Sequence, residues 1–131
     1  MSGSKAAELN ARLEAAKQFA VEAGKLTLNY FQQGVAVERK SDDSPVTVAD
    51  REAEQLLRRR IAECFQRDAI VGEEFDDVAG TSGFRWILDP IDGTKSFICG
   101  VPLYGTMIGV EWEGKSVVGV VYCPALDVGS R

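Results

Sequence analysis

Asp89-Pro90-Ile91-Asp92-Gly93-Thr94 puts two carboxylates three residues apart, with a proline between them and a glycine directly after. Pro90 fixes its own φ near about −65°. If the segment leaves the end of a strand and the chain turns, both carboxylates and the Ile91 carbonyl can converge on one point. Oxygen ligands of this kind suit a hard divalent cation such as Mg²⁺, with water completing the octahedron. Gly93 lets backbone N–H groups approach an anion closely, and Thr94 adds a hydroxyl. Cation ligands beside an anion nest are what phosphoryl transfer needs, because its catalysis is mostly positioning and charge neutralisation. The same six residues also read as a tight turn and nothing more.

Other carboxylates could join them. Glu73 and Glu74 follow Gly72, where paired glutamates also read as a solvated strand exit. Asp50 stands three residues after Thr47, the spacing of a capping box, so it also reads as a helix cap that complements the dipole. The chain has no histidine. Imidazole bases, Ser–His–Asp triads and His-based zinc sites are thereby excluded, which leaves carboxylates, hydroxyls and hard cations for any hydrolysis.

With 15 basic and 20 acidic residues the net charge is −5, and an acidic protein gains little from the counterion release that drives nucleic-acid binding. Arg58-Arg59-Arg60 reads as a solvated helix face. No nucleic-acid partner is expected. Cys64, Cys99 and Cys123 are widely spaced and odd in number, which points to reduced thiols in the cytoplasm. No apolar run reaches the roughly 18 residues that span a bilayer, and the N-terminus leads into a charged amphipathic helix.

These residues need elements to position them. Leu9, Leu13, Ala16, Ala20 and Ala23 keep helical spacing over about Ala6 to Phe31, and Gly34 supplies a stop. Val35 to Arg39 alternates like a short strand, and Ser41-Asp42-Asp43-Ser44-Pro45 is turn chemistry. A second helix over Val48 to Phe65 faces a core with Leu57, Ile61, Cys64 and Phe65. Ala69-Ile70-Val71 and Phe84 to Leu88 read as strands. Gly105 to Glu111 and Ser116 to Tyr122 form a hairpin through Glu113-Gly114. The 131 residues make one domain, of α+β class, with an N-terminal helix pair on a largely antiparallel sheet.

Three segments in order resemble the inositol monophosphatase family of magnesium-dependent phosphatases. They are Lys40-Ser41-Asp42-Asp43-Ser44-Pro45-Val46-Thr47-Val48-Ala49-Asp50, then Gly72-Glu73-Glu74, then Trp86-Ile87-Leu88-Asp89-Pro90-Ile91-Asp92-Gly93-Thr94-Lys95-Ser96-Phe97. The resemblance implies that Glu73, Asp89 and the Ile91 carbonyl hold one Mg²⁺, and that Asp89 and Asp92 help to hold a second. Two or three ions serve full-length members. It implies that Gly93 and Thr94 contact the phosphate, that Thr94 and Asp50 orient or deprotonate the attacking water, and that Glu74 assists. The partner is then a small phosphorylated metabolite. Lys95-Ser96-Phe97 looks more like the histidinol-phosphatase-like branch, while inositol-1-phosphate and a nucleotide 3′-phosphate or sugar bisphosphate stay open.

Family members are roughly double this length, and their layered fold alternates helix pairs and sheets. Their second half is implied to supply a further aspartate after a Trp, yet neither Trp86 nor Trp112 is followed by Asp. Residues 1–131 are therefore expected to be an N-terminal metal- and phosphate-binding domain that lacks its C-terminal partner. Cys123-Pro124-Ala125-Leu126-Asp127 reads as the start of a further connection. The face left bare is expected to associate, as a homodimer or otherwise, and an inactive self-associating module is the alternative reading.

Overall fold

A computed structural model describes residues 3–31, 37–39, 45–93, 97 and 104–129. In chain order these form α1 (Gly3–Leu28), β1 (Val37–Arg39), β2 (Pro45–Thr47), α2 (Val48–Cys64), β3 (Ala69–Gly72), β4 (Phe84–Asp92), β5 (Gly105–Trp112), β6 (Lys115–Tyr122) and α3 (Pro124–Gly129). The stop expected at Gly34 and the turn expected at residues 41–44 lie outside the described residues.

The alanine-rich stripe of α1 faces inward. Ala16, Phe19, Ala20 and Ala23 are buried and pack with Leu57 and Ile61 of α2 and with Phe84, Trp86, Leu88, Ile108 and Val110 of the sheet. Small side chains let the helix come close to the strands. At Gly24 the approach is extreme, since a Cβ there would lie 2.6 Å from the Tyr122 ring. Each large apolar side chain buried here contributes on the order of 1.5–3 kcal/mol.

The α2 start is the capping box read from the sequence. Thr47 accepts from the Asp50 amide at 3.3 Å, and the Thr47 amide donates to Asp50 Oδ2 at 2.9 Å. The core stripe of α2 differs at its end from the expectation. Leu57 and Ile61 are buried and Phe65 stacks on Trp86, but Cys64 is exposed, because the helix finishes there and Phe65 leaves helical geometry as its cap.

β3 to β6 form one sheet in the order β3-β4-β5-β6, and β1 pairs with β2 separately. The sheet is antiparallel except for β3 and β4, which run parallel with Gly72 opposite Leu88. Glu113 and Gly114 close the β5–β6 hairpin with φ of 50° and 83°, the left-handed pair that a two-residue turn needs. Both helices cover one face of the sheet. A buried polar knot ties the layers together: Asp68 accepts from Arg12 at 2.8 and 2.9 Å, from Ser82 at 2.7 Å and from the Trp86 indole at 2.8 Å. Of Cys123 to Asp127, expected as the start of a connection, all but Cys123 lie in the short helix α3 (Pro124–Gly129).

Candidate functional site

β4 continues through Asp92, so the acidic motif does not follow a strand end as expected; it lies within the strand. The first half of β4 alternates strictly, with Phe84, Trp86 and Leu88 buried toward the helices and Asp89 on the opposite, open face. By that alternation Asp92, three residues on, belongs to the helix face. The register shows otherwise. Asp89 pairs with Met107 and Asp92 with Gly105, so three steps on β4 oppose two on β5. This is a β-bulge of one extra residue, and it returns Asp92 to the face of Asp89. The buried Thr106 hydroxyl holds the bulge by donating to the Pro90 carbonyl at 2.8 Å.

The parallel partner brings in Glu73. Gly72 pairs with Leu88, so Glu73 and Asp89 stand side by side one residue beyond the last paired position. Glu74 follows, half-buried. Asp50 arrives from α2. Its neighbour Ala49 packs in one small cluster with Ile91, Phe97 and Tyr104, which fixes the α2 N-terminus beside the bulge. Ile91 thus contributes its side chain to the core while its backbone lies between the two aspartates. Gly93 has φ of 89°, a conformation that favours glycine, and its carbonyl accepts from the Phe97 amide at 3.1 Å. Thr94, expected to contact phosphate and water, lies outside the described residues.

The donor set fits a hard divalent cation in kind, being carboxylates without a thiol or imidazole. Three of the expected ligands come from adjacent strands, Glu73 directly after β3 and Asp89 and Asp92 within β4. Among the described residues no three acidic side chains are close enough together to enclose an ion as they stand. Glu73 and Asp89 also line a shallow trough of about 660 Å³ on the open face. The trough floor is apolar and flat: Ile87, Met107, Val117 and Val121 are exposed on it, and Gly109 pairs directly with Gly119. Neither glycine is required by crowding, since a Cβ would meet nothing closer than 3.8 Å at Gly109 and nothing within 4 Å at Gly119.

Two supporting residues escaped the sequence reading. Thr106 gave no signal beyond its place in a strand. Glu54 gave one: it shares the α2 stripe with Leu57 and Ile61, and an acid on a core stripe with an arginine four residues on demands a buried partner. It is fully buried and accepts from the Glu73 and Glu74 amides at 3.1 and 3.2 Å. Among the described residues no helix is long and apolar enough to cross a membrane, and Cys64 and Cys123 are free thiols.

Residues 8–129 match the sequence profile of the inositol monophosphatase family. A histidinol-phosphatase from Chlorobaculum parvum is 54% identical over 115 residues, which is 87% of this chain and 44% of that protein. Among solved structures, the extragenic suppressor protein suhB from Bartonella henselae superimposes with a TM-score of 0.84 at 32% identity, over 89% of this chain and 46% of its own. The Thermotoga maritima IMPase gives 0.81 at 31% identity, over 88% and 45%. The chain therefore spans less than half the length of each of these relatives.

Proposed function

The chain belongs to the inositol monophosphatase family, and from that premise we propose that it carries the metal- and phosphate-binding half of a Mg²⁺-dependent phosphomonoesterase. The observation that carries the proposal is the bulge that turns Asp89 and Asp92 to one face, with Glu73 beside Asp89. In this reading Glu73, Asp89 and the Ile91 carbonyl hold one cation, and Asp89 and Asp92 share a second. When bound, the cations supply positive charge against the phosphate oxygens and make water more acidic.

The chain's own groups do the rest. Gly93 and Thr94 hold the phosphate through backbone N–H groups and the Thr94 hydroxyl. Asp50 and Thr94 orient a water in line with the ester bond, and Glu74 assists. The water oxygen attacks phosphorus as Asp50 takes its proton. The P–O ester bond breaks with its electron pair going to the ester oxygen, and that oxygen takes a proton from solvent water to leave as the alcohol. Asp50 suits this work because its capping bonds fix its rotamer. The 54% identity to a histidinol-phosphatase favours histidinol phosphate as substrate. Inositol-1-phosphate comes next, then a nucleotide 3′-phosphate or sugar bisphosphate. A cytoplasmic location goes with the free thiols.

The exposed floor around Gly109 and Gly119 favours a second reading, in which this face seats a second copy of the chain and the unit binds metal without turnover. One experiment separates the two. Phosphate release is assayed with Mg²⁺ on histidinol phosphate, inositol-1-phosphate and adenosine 3′,5′-bisphosphate, with D92N as control and sedimentation in parallel. Release that needs Mg²⁺ and is lost in D92N supports the phosphatase. Mg²⁺ binding by a dimer that releases no phosphate supports the module.

A further inference from the structure

Residues 73–76 carry both glutamates of the site, yet they belong to no strand or helix. Two side chains one turn apart on α2 hold them. Glu54 Oε1 accepts from the amides of Glu73 and Glu74 at 3.1 and 3.2 Å. Its Oε2 accepts from Arg58 Nε at 2.9 Å. Arg58 then donates from its other two nitrogens to the carbonyls of Phe75 at 3.1 Å and Asp76 at 2.7 Å. Four consecutive residues, Glu73 to Asp76, are thus each held by one backbone group from one helix, by a pair of opposite charges.

The contact is close as well as polar. A Cβ at Gly72 would fall 2.4 Å from Glu54 Oε2, so β3 must end in a residue without a side chain for the carboxylate to reach the next two amides. A fully buried carboxylate costs several kcal/mol unless paired and hydrogen-bonded. Here every bond it makes outside its own helix goes to the segment holding the expected ligands. An apolar residue at position 54 would fill the stripe with Leu57 and Ile61 and leave that segment untethered.

We propose that Glu54 and Arg58 are positioning residues for the cation site, setting the direction in which Glu73 and Glu74 leave the backbone. The inference rests on the assignment of Glu73 and Glu74 made above. It treats the pair as the outer support of that ligand segment, and loss of such support costs about 10–100-fold in metal affinity.

The test titrates Mg²⁺ alone into the 131-residue protein by calorimetry, well below its melting temperature, and follows exchange of the Glu73 and Glu74 amides. The variants are R58M, E54Q and R58K, with R60M as control. Arg60 lies on the same helix but pairs with Glu22 of α1 at 3.0 Å. R58M is expected to weaken Mg²⁺ binding by about tenfold or more, with faster exchange at both amides, and R58K to recover part of the loss. R60M is expected to lower the melting temperature and leave Mg²⁺ affinity unchanged. A folded R58M that binds Mg²⁺ like the parent overturns the inference and leaves the site assignment standing. A parent that binds no Mg²⁺ overturns the site assignment, and the inference with it. Should R58M not fold, E54Q carries the same comparison, because its amide oxygen still accepts from the two N–H groups while the ion pair with Arg58 is gone.

Discussion

Asp89 and Asp92 face the same side of the sheet because β4 carries one more residue between them than β5 carries between Met107 and Gly105. Side-chain period in a strand is two, so an odd separation ordinarily sends residues to opposite faces. The extra residue corrects the parity without breaking the strand, and it leaves Pro90 and Ile91 both buried. A proline is tolerated at a bulge because no ladder hydrogen bond is asked of its nitrogen.

The Thr106 hydroxyl is the side-chain bond that pins this bulge, at 2.8 Å from the Pro90 carbonyl. Thr106→Val keeps the shape and removes the donor, leaving a buried carbonyl short of a partner. Its expected cost is about 1–3 kcal/mol in urea denaturation. Mg²⁺ affinity should fall with it, while Thr106→Ser recovers both.

Gly72→Ala is expected to destabilise the protein by about 1–3 kcal/mol, the range for overpacking a filled site. The added methyl meets the Glu54 carboxylate rather than the end of a mobile chain. Thermal melts of this variant beside Gly119→Ala provide the check. Gly119 has open space around a Cβ, so its variant should melt close to the parent.

Most of the elements were legible because they rest on local patterns. The Leu9-to-Ala23 stripe, the Thr47–Asp50 box and the Glu113-Gly114 turn each lie within one element or one hairpin. The carboxylates of the candidate site were legible too, through residue type and spacing. What could not be read was how they meet. A bulge is a relation between two strands, and nothing in Asp89-Pro90-Ile91-Asp92 tells how many residues of β5 will oppose it. Reading the motif as the turn after a strand gave these residues the wrong geometry. Cys64 was misjudged for a different reason, since periodicity continues past the point where a helix stops. The parallel pairing of β3 with β4, which sets Glu73 beside Asp89, is likewise a long-range choice.

Asp68 should govern the acid limb of stability. Burial pushes its carboxyl upward, but hydrogen bonds from Arg12, Ser82 and Trp86 and the Arg12 charge outweigh that and hold it below the usual carboxylate range. A group whose folded pKa is depressed stabilises above its unfolded pKa, and that stability is lost as pH falls through the folded value. Denaturation midpoints should therefore drop as pH is lowered from about 4, the ordinary aspartate pKa. Asp68→Asn should flatten that limb. At neutral pH it should cost about 3–5 kcal/mol, because Arg12 is left buried without its counter-charge. Urea denaturation of both proteins across the acid range checks both statements.

The open sheet face carries a test of association. Val121 is 62% exposed and sits in the cross-strand row Asp89–Met107–Val121. Val121→Lys should leave the melting temperature of the monomer nearly unchanged, since the side chain supports nothing beneath it. It should shift a concentration-dependent sedimentation profile toward monomer. A profile identical to the parent's would exclude this face as the contact between copies.

β4 also gives the protein a built-in optical reporter. Trp86 lies wholly inside, with the rings of Phe19 and Phe65 at 6.0 and 5.5 Å and its indole N–H on Asp68. Its emission should be blue while the helix layer is docked and should move red when α1 detaches. Asp89, three residues along, looks out of the other side of the same strand, so an ion held at the proposed site would lie where Trp86 does not see it. In a Trp112→Phe background, one fluorophore would then follow folding while titration heats follow the metal, and the two events could be timed separately in a single sample.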